Sequence, residues 1–580
     1  MNMNRFVFYG FLVLLVIYLL VFRFDGEAEK DLVRFVADDA VFYVEQNDCL
    51  AASDAFKRSL LGQQLAAIDL QRVGPSLGLT ENAGKLVEAL GEELKTVVAE
   101  PLLGQLLRGR LGIALFRLPS DVDRRSLVTW LKRDVLFIVK PRENIDWNDV
   151  LVERFAKKRQ GRRTTCQYGN YRIARLPTRY GVITLASIDG LVVASYDERQ
   201  LKKAIDTYDG EIAGLPDRAD FGKAFALYDT KREHLCYLSL SSLQKMVHLF
   251  SSSGIPYLEK MIEKLPAVYS AFTYGHWSTK KTMQSRLVLS GRPQVFDKKE
   301  GLQSLSPIQS RVLDFSLYDP LLLYWTTGSE LQTILSRLLL VEEFQTLLYA
   351  YQDRLQKIAG VAPSDLPLLF GDQVGIFIEP SGSSNFFHIP RCLAVIPLAS
   401  SEQAETLAKD LVEAFAAPVF EEIYEAVIYS YWLESPQDGI QPLCGFWQNY
   451  LFIGNSVSLL REIVDDYNAR NSLVKNPQIR KIDPGIKEKN NRLLYLNVER
   501  TSELLVRLFY FIDTLLKLER PEKAEKSHLI IREVLLPLTA GIQDYERLCL
   551  RSYRQSELVI IDARFALRQI KKKRTNAKNH

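Results

Sequence analysis

The chain contains one pattern of residues twice, about 260 positions apart. Residues 189–208 read DGLVVASYDERQLKKAIDTY, and residues 448–467 read QNYLFIGNSVSLLREIVDDY. Each stretch has an apolar run, a break of small or polar residues, and apolar positions at the spacing of one helical face. These positions are Leu201, Ala204, Ile205 and Tyr208 in the first stretch, and Leu460, Ile463, Val464 and Tyr467 in the second. Both stretches therefore predict a strand followed by an amphipathic helix.

A β-hairpin is predicted directly before each helix. In the first copy the runs GVITLAS and LVVAS flank Asp189 and Gly190, a pair that favours a tight type I′ turn. In the second copy PLCGFW and YLFIG flank Gln448 and Asn449. The hairpin joins neighbouring strands in antiparallel orientation. A simple alternation of parallel strands and helices would contain no such hairpin.

Further matching blocks follow in the same order along the chain, mostly offset by 258 to 263 residues. They are GRLGIALFRLPS from 109 with GDQVGIFIEPSG from 371, LVERFA from 151 with LVEAFA from 411, HLCYLSLSSL from 234 with RLLYLNVERT from 492, DAVFYVE from 39 with DPLLLYW from 319, and QSRLVLSG from Gln284 with QSELVIID from Gln555. An ordered series of this kind indicates an internal duplication.

Strands cluster and alternate unevenly with helices in each copy, which predicts the α+β class with mixed or antiparallel sheets. At 580 residues the chain is too long for a single core. The predicted organisation is a membrane anchor and flank at 1–30, a first α+β repeat at 31–292, a linker at 293–312, a second α+β repeat at 313–569 and a basic tail at 570–580.

Residues 6–22, FVFYGFLVLLVIYLLVF, contain no charge and span about 25 Å as a helix, close to the thickness of a bilayer core. We predict a single-pass signal anchor here. A cleaved signal peptide is the alternative, because Gly26 and Ala28 form a small-x-small site. Arg5 and the N-terminal amine lie on one side of this segment, and Arg23, Lys30 and Arg34 lie on the other, so the charges leave the orientation open. A short N-terminal tail favours an ectodomain outside the inner membrane, in the periplasm.

Charge and cysteine content exclude several classes of protein. The 74 basic and 70 acidic side chains give a net charge of +4, which lacks the strong positive field of a nucleic-acid binder. The six cysteines include no C-x-x-C pair, so neither a disulfide scaffold nor a zinc ribbon is indicated. Cys236, Cys392, Cys444 and Cys549 lie in apolar runs, where a buried thiol behaves as a small hydrophobic group.

No motif for catalysis or cofactor binding is found in the sequence. The stretch GLTENAGKL at 78–86 has five residues between its glycines and a leucine after its lysine, so it is no P-loop. No H-E-x-x-H or G-x-S-x-G motif occurs. The histidines are dispersed, at His234, His248, His276, His388, His528 and His580. We therefore assign no catalytic, cofactor-binding or metal-ligating residue and no cofactor.

Two strongly apolar helices are predicted near the end of the second copy, in ELLVRLFYFIDTLLKLE and HLIIREVLLPLTAGI. Helices with so many apolar residues either pack into a core or present an apolar face to a partner. The core is the preferred interpretation.

An N-terminal anchor, a first strand within ADDAVFYVEQND and two α+β copies together resemble the DUF3352 family of bacterial proteins. The resemblance spans the ectodomain and implies a protein anchored at the bacterial envelope. It implies no catalytic residues.

The expected function is that of a membrane-anchored, non-enzymatic envelope protein that binds a partner protein, a lipid or another envelope component. Two similar lobes would provide a cleft or a shared surface as the binding site. One alternative is an envelope hydrolase of unrecognised type, which clustered His, Asp or Ser side chains with shifted pKa values would favour. The other is an adaptor that faces the cytosol. The oligomeric state is left open, and no nucleic-acid partner is expected.

Overall fold

The structure is a computed structural model. It describes residues 32–73, 109–117, 133–141, 164–178, 181–228, 232–242, 268–279, 281–292, 306–328, 371–381, 390–413, 419–432, 441–519 and 521–568.

The first half of the described chain contributes ten strands to one sheet. They are β1 (Phe42–Asn47), β2 (Arg110–Leu115), β3 (Val135–Lys140), β4 (Thr164–Tyr168), β5 (Tyr171–Thr178), β6 (Gly181–Ile188), β7 (Leu191–Ser195), β8 (His234–Ser239), β9 (Tyr269–Ser278) and β10 (Thr282–Gly291).

The second half contributes ten more strands to the same sheet. They are β11 (Leu322–Thr327), β12 (Gln373–Glu379), β13 (Arg391–Pro397), β14 (Val419–Tyr424), β15 (Val427–Trp432), β16 (Leu443–Trp447), β17 (Tyr450–Gly454), β18 (Arg492–Asn497), β19 (Tyr545–Gln555) and β20 (Leu558–Leu567).

Both halves have the same strand order. The first runs β4-β5-β6-β7-β3-β2-β1-β8-β9-β10, and the second runs β14-β15-β16-β17-β13-β12-β11-β18-β19-β20. The last strands, β10 and β20, pair with each other, so the sheet continues from one half into the other. Every pairing between these strands is antiparallel. The fold is therefore α+β with a large antiparallel sheet.

The sheet register corrects one sequence match. His234 corresponds to Arg492, and these residues pair with His276 and Ser552. His276 and Ser552 pair in turn with Ser285 and Ile561, which are therefore equivalent. Gln284 thus occupies the position of Ile560 and not that of Gln555. The shared letters QS misled the comparison because Gln555 lies at the end of β19, before the turn into β20.

The helices lie between the strands. They are α1 (Cys49–Arg58), α2 (Leu60–Ala67), α3 (Leu70–Val73), α4 (Glu198–Tyr208), α5 (Ala219–Phe225), α6 (Ser401–Glu413), α7 (Val457–Asn468), α8 (Pro477–Ile482), α9 (Val498–Glu519), α10 (Pro521–Ile530) and α11 (Leu536–Gly541). A π-helical turn, Ile531–Leu535, joins α10 to α11 ahead of Pro537. Short 3₁₀ turns precede β1 (Leu32–Phe35) and β11 (Leu313–Phe315).

The duplicated stretch folds as predicted in both halves. Asp189 and Gly190 have positive φ angles of 49° and 77°, as a type I′ turn requires, and Gln448 has a φ of 53°. Asp197 caps α4 by accepting a hydrogen bond from the Arg199 N–H, and Ser456 caps α7 in the same way from Leu459. These caps fix where each helix begins.

The closing tyrosine of each copy has a structural role. Tyr208 of α4 stacks on Phe35 with ring centroids 4.5 Å apart, and Tyr467 of α7 stacks on Phe315 at 4.4 Å. Phe35 and Phe315 lie in the 3₁₀ turns before β1 and β11. The repeated tyrosine therefore joins the helix to the start of its own half by an aromatic pair.

Two hydrophobic cores cover one face of the sheet, which we call the first face. The first core contains residues of α4 and α5 over β1, β8 and their neighbours, and the second contains residues of α7 and α8 over β11 and β18. Leu558 and Ile560 of β20 belong to the first core, although they come from the second half of the chain. The two halves thus share their core residues at the junction.

Several sequence predictions lie outside the described residues. These are the anchor at 6–22, the matching block LVERFA at 151–156 and the tail at 570–580. In the described ranges, no helix has the length and apolar content needed to cross a membrane. Three strands in each half were missed: β4, β5 and β9, and their equivalents β14, β15 and β19.

Candidate ligand-binding face

The second face of the sheet is also apolar along its centre. Residues directly opposite each other in an antiparallel pair point to the same face. At the junction Leu287 pairs with Ile561 and Leu289 pairs with Val559. The same face continues outward through the central strands. We call this set the apolar strip: Phe42, Val44, Phe272, Leu287, Leu289, Val559, Ile561, Leu548, Leu550, Leu494, Leu496 and Leu322.

All members of the apolar strip are half-buried, and none belongs to the buried clusters of the described structure. An antiparallel sheet with one apolar face commonly turns polar residues to solvent on the other. Here both faces are apolar at the centre. The strip crosses eight neighbouring strands from β1 to β11, about 34 Å at the usual spacing between strands.

Helices from both halves meet beside this face. Helix α9 packs against β18 and β19, and α2 packs against α11. None of the described side chains of these helices belongs to either main core. The absence of a side chain at Gly541 lets Leu61 approach, since a Cβ there would lie 2.8 Å from the Leu61 Cα. The Leu60 N–H also donates to Asp544 at 2.9 Å.

A polar cluster lies at one end of the strip in the first half of the chain. His234 Nδ1 is 3.0 Å from Gln46 Oε1, and His276 Nδ1 is 3.1 Å from Ser285 Oγ. The Tyr274 hydroxyl donates to Ser285 at 3.0 Å. His234 and His276 pair directly across β8 and β9. These five side chains, the His cluster, are all buried.

Burial and, to a smaller extent, the neighbouring His276 together lower the pKa of His234 to about 3. In the unfolded chain a histidine titrates near pH 6.5. Between these values the unfolded state binds more protons, so the free energy of unfolding decreases as the pH falls from about 6.5 toward 3.

Between about pH 6.5 and about pH 3, the free energy of unfolding of a His234→Gln variant should fall less steeply than that of the native protein. We expect the difference in slope to be about 1 kcal/mol per pH unit or more. The check is urea unfolding of both proteins at several pH values between 3 and 7. If the free energy of unfolding changes with pH equally in the two proteins, the expectation is contradicted.

The serine and one histidine of the His cluster lie beside a glutamate, Glu233. His276 lies between Ser285, at 3.1 Å from Nδ1, and Glu233, whose Oε2 is 3.8 Å from Nε2. Glu233 already accepts hydrogen bonds from the N–H and hydroxyl of Ser278. The exposed fractions of Ser285, His276 and Glu233 are 6%, 2% and 3%, so a nucleophile here has little access to solvent. His234 and His276 are 42 positions apart in the chain, and the pairing of β8 with β9 brings them together.

The two halves, between which a cleft or a shared surface was expected, meet through the paired strands β10 and β20. On the first face Arg286 donates to Asp562 at 2.6 and 2.9 Å, and these residues pair directly between β10 and β20. Arg551 lies 3.7 Å from Asp562 and 2.7 Å from Asp483. Burial opposes ionisation of Asp483 and raises its pKa, although Arg551 and Arg564 act in the opposite direction. We call Arg286, Asp483, Arg551, Asp562 and Arg564 the ionic seam.

Equivalent positions in the two halves use different chemistry. Buried Glu45 in β1 pairs with Arg110 in β2. The equivalent strands of the second half, β11 and β12, have Trp325 and Gln373 at these positions. The Trp325 Nε1–H donates to the Gln373 side-chain oxygen at 3.1 Å. An ion pair in one half thus corresponds to a neutral hydrogen bond in the other.

The predicted apolar setting of the cysteines is confirmed for Cys236, Cys444 and Cys549, which are buried, whereas Cys392 is half-buried. Burial raises the pKa of Cys236 and Cys444 to about 12. In the described ranges, no three His, Cys, Asp or Glu side chains are grouped as metal ligands.

No protein-family model matches the chain, and no curated protein matches it significantly. Among solved structures the chain is similar to crystal form III and crystal form I of TP0453. The identity is 9% in both cases, over 46% of this chain and 81% or 80% of the other, with TM-scores of 0.22 and 0.21. Values this low carry no argument about fold or function.

Proposed function

We propose that this chain is a membrane-anchored, non-enzymatic envelope protein that binds the acyl chains of a lipid along the apolar strip. The observation that carries the proposal is an apolar face that is half-buried beside helices and packed into none of the cores. Ligand sites of this kind are mostly apolar, with a few polar groups that fix the orientation of the ligand. The His cluster would supply such groups at one end.

The length of the strip is compatible with a lipid ligand. One leaflet of a bilayer core is about 15 Å thick, so an acyl chain is about half as long as the strip of about 34 Å. The two halves of the sheet would each hold one chain. This arrangement would follow from an internal duplication into two α+β repeats, which the shared strand order supports.

The test is binding of cis-parinaric acid, a fluorescent fatty acid, to the full-length protein. A Leu287→Trp substitution places a large side chain at the centre of the strip and should weaken binding about tenfold. Val182→Trp is the matched control, because Val182 is 50% exposed and lies on β6, which carries no member of the strip. Absence of binding by the native protein, or equal affinity of L287W and the native protein, would contradict the proposal.

The location is part of the same proposal. The anchor would lie in the inner membrane, with the body in the periplasm. A protease-sensitive tag after His580 should be cleaved once the outer barrier alone is opened. Protection until the inner membrane is breached would instead favour a cytosol-facing adaptor.

An envelope hydrolase is the second candidate, favoured by the contacts of His276 with Ser285 and Glu233. These three side chains are buried, which restricts the access of a substrate to Ser285 and favours the binding function over the hydrolase. Turnover of p-nitrophenyl butyrate that disappears in a Ser285→Ala variant would favour the hydrolase, because a general base beside a serine activates its hydroxyl.

A further inference from the structure

The junction of the two halves contains a local two-fold axis. Ser285 is equivalent to Ile561, so the next residues along their strands, Arg286 and Asp562, are equivalent as well. Arg286 also pairs directly with Asp562 between β10 and β20. Two equivalent residues that face each other mark a two-fold axis, as in a symmetric dimer.

The backbone at this axis is equally suited to the pairing of like halves. Strands β10 and β20 occupy the same place in the strand order of their halves. A β10 strand could therefore pair with β10 of a second copy of the chain, and β20 with β20, in the equivalent antiparallel register. Backbone hydrogen bonds alone do not distinguish these partners from the native one. A last strand that has not yet found its partner is a template for such pairing.

The side chains at the axis distinguish the partners by charge. Arg286 donates to Asp562 at 2.6 and 2.9 Å, and the exposed fractions of the two side chains are 18% and 4%. Pairing of two β10 strands would place two copies of Arg286 opposite each other, and pairing of two β20 strands would do the same with Asp562. Like charges repel strongly where little water screens them. Only the native combination brings opposite charges together.

Each half also provides neighbours that suit the sign of its own charge. Arg286 lies over the ring of Trp277, 5.9 Å from the centroid, and donates to the Leu227 carbonyl at 2.6 Å. The residue equivalent to Trp277 is Tyr553, whose hydroxyl donates to Asp562 at 3.3 Å. An aromatic face and a carbonyl stabilise a cation, whereas a hydroxyl donor stabilises an anion. The two sides of the axis have therefore diverged as a complementary pair.

We propose that the junction accepts only unlike halves, because the opposite charges of Arg286 and Asp562 permit pairing of β10 with β20 and exclude pairing of like strands between two copies of the chain. Repulsion of like charges is a common way to reject a wrong partner. The segment that connects the halves keeps their effective concentration high, so the unlike halves of one chain meet first. Pairing of like strands would instead leave the other last strand of each copy open and would join copies into filaments.

The test co-expresses two full-length copies of the chain with different affinity tags and measures how much of one copy is purified with the other. Arg286→Asp places like charges at the junction of one copy, and Asp562→Arg does so in the other. Together an R286D chain and a D562R chain can form the native arginine–aspartate pair between them, which two copies of the same variant cannot. We expect R286D to co-purify with D562R at least about tenfold more than either variant co-purifies with itself.

Lys223→Glu and Glu557→Lys are the matched controls, because Lys223 of α5 and Glu557 form a more exposed ion pair across the same junction. Together these two variants should co-purify no more than two native copies do, since exposed pairs contribute little.

A folding defect of the single variants keeps the test decisive. If R286D or D562R accumulates only when the other is co-expressed, this rescue is the expected result in another form. The proposal is overturned if R286D co-purifies with D562R no better than each variant does with itself. It is also overturned if neither variant accumulates, alone or together, or if the control variants co-purify equally well.

Discussion

An Asp562→Ala variant should be destabilised by about 3–5 kcal/mol, measured as the free energy of unfolding in urea or guanidinium. Asp562 is 3% exposed and accepts two hydrogen bonds from Arg286, with Arg551 at 3.7 Å. Removing the carboxylate leaves the half-buried Arg286 and the buried Arg551 without their common partner, which is the costly way to disrupt a buried ion pair.

Two controls accompany this prediction. The double variant Arg286→Met, Asp562→Leu removes both charges and should recover most of the lost stability, since apolar groups often replace a buried ion pair well. Glu557→Ala removes the ion pair between Glu557, in the turn before β20, and Lys223 of α5, and should cost less than about 1 kcal/mol. A loss below 1 kcal/mol for Asp562→Ala would show that the ionic seam does not hold the halves together.

A Trp325→Ala variant should lose about 3–5 kcal/mol, because truncating a buried aromatic residue removes its apolar contacts and leaves a cavity. Trp325 is fully buried in the second core, and its indole N–H binds Gln373. Thermal and chemical unfolding measure the effect.

Tyr318→Ala is the matched control for Trp325, since Tyr318 is an aromatic residue of the same half that is 38% exposed. Its truncation should change the stability by about 0.5 kcal/mol or less. Equal losses at both positions would contradict the assignment of Trp325 to the interior of the second core.

Sequence periodicity predicted the elements whose pattern is local. The helices containing Leu201 and Leu460 were found because their apolar residues recur at helical spacing and pack on one core each. The hairpin at Asp189 and Gly190 was found because few residue pairs favour its turn.

The missed strands lack such a local pattern. Strand β4 reads TTCQY and lies at an outer end of the sheet, where both faces tolerate polar residues. Strand β19 reads YERLCLRSYRQ, and its charged residues include Arg551 and Arg547. Arg551 is buried because Asp483 and Asp562 surround it, and these partners come from distant parts of the chain.

The candidate site was not predictable from spacing in the chain. His234, His276 and Ser285 come from three strands, and Gln46 comes from a fourth. Their proximity depends on strand order, which a single sequence does not encode in any local pattern. Short apolar runs such as LVL at 287–289 and LVII at 558–561 are a local signal for the apolar strip, because a strand that is apolar at successive positions is typically buried on both faces.

By itself the sequence determined the α+β class, the repeated order of its main elements and the places of the duplicated helices, because these depend on periodicity and turn chemistry within short segments. Only the tertiary structure decided how the two halves join. The pairing of β10 with β20 merges them into one sheet, and it brings the residues of the ionic seam together across the junction. Backbone hydrogen bonds between strands accept almost any side chain, so the choice of partner strand rests on contacts between residues hundreds of positions apart.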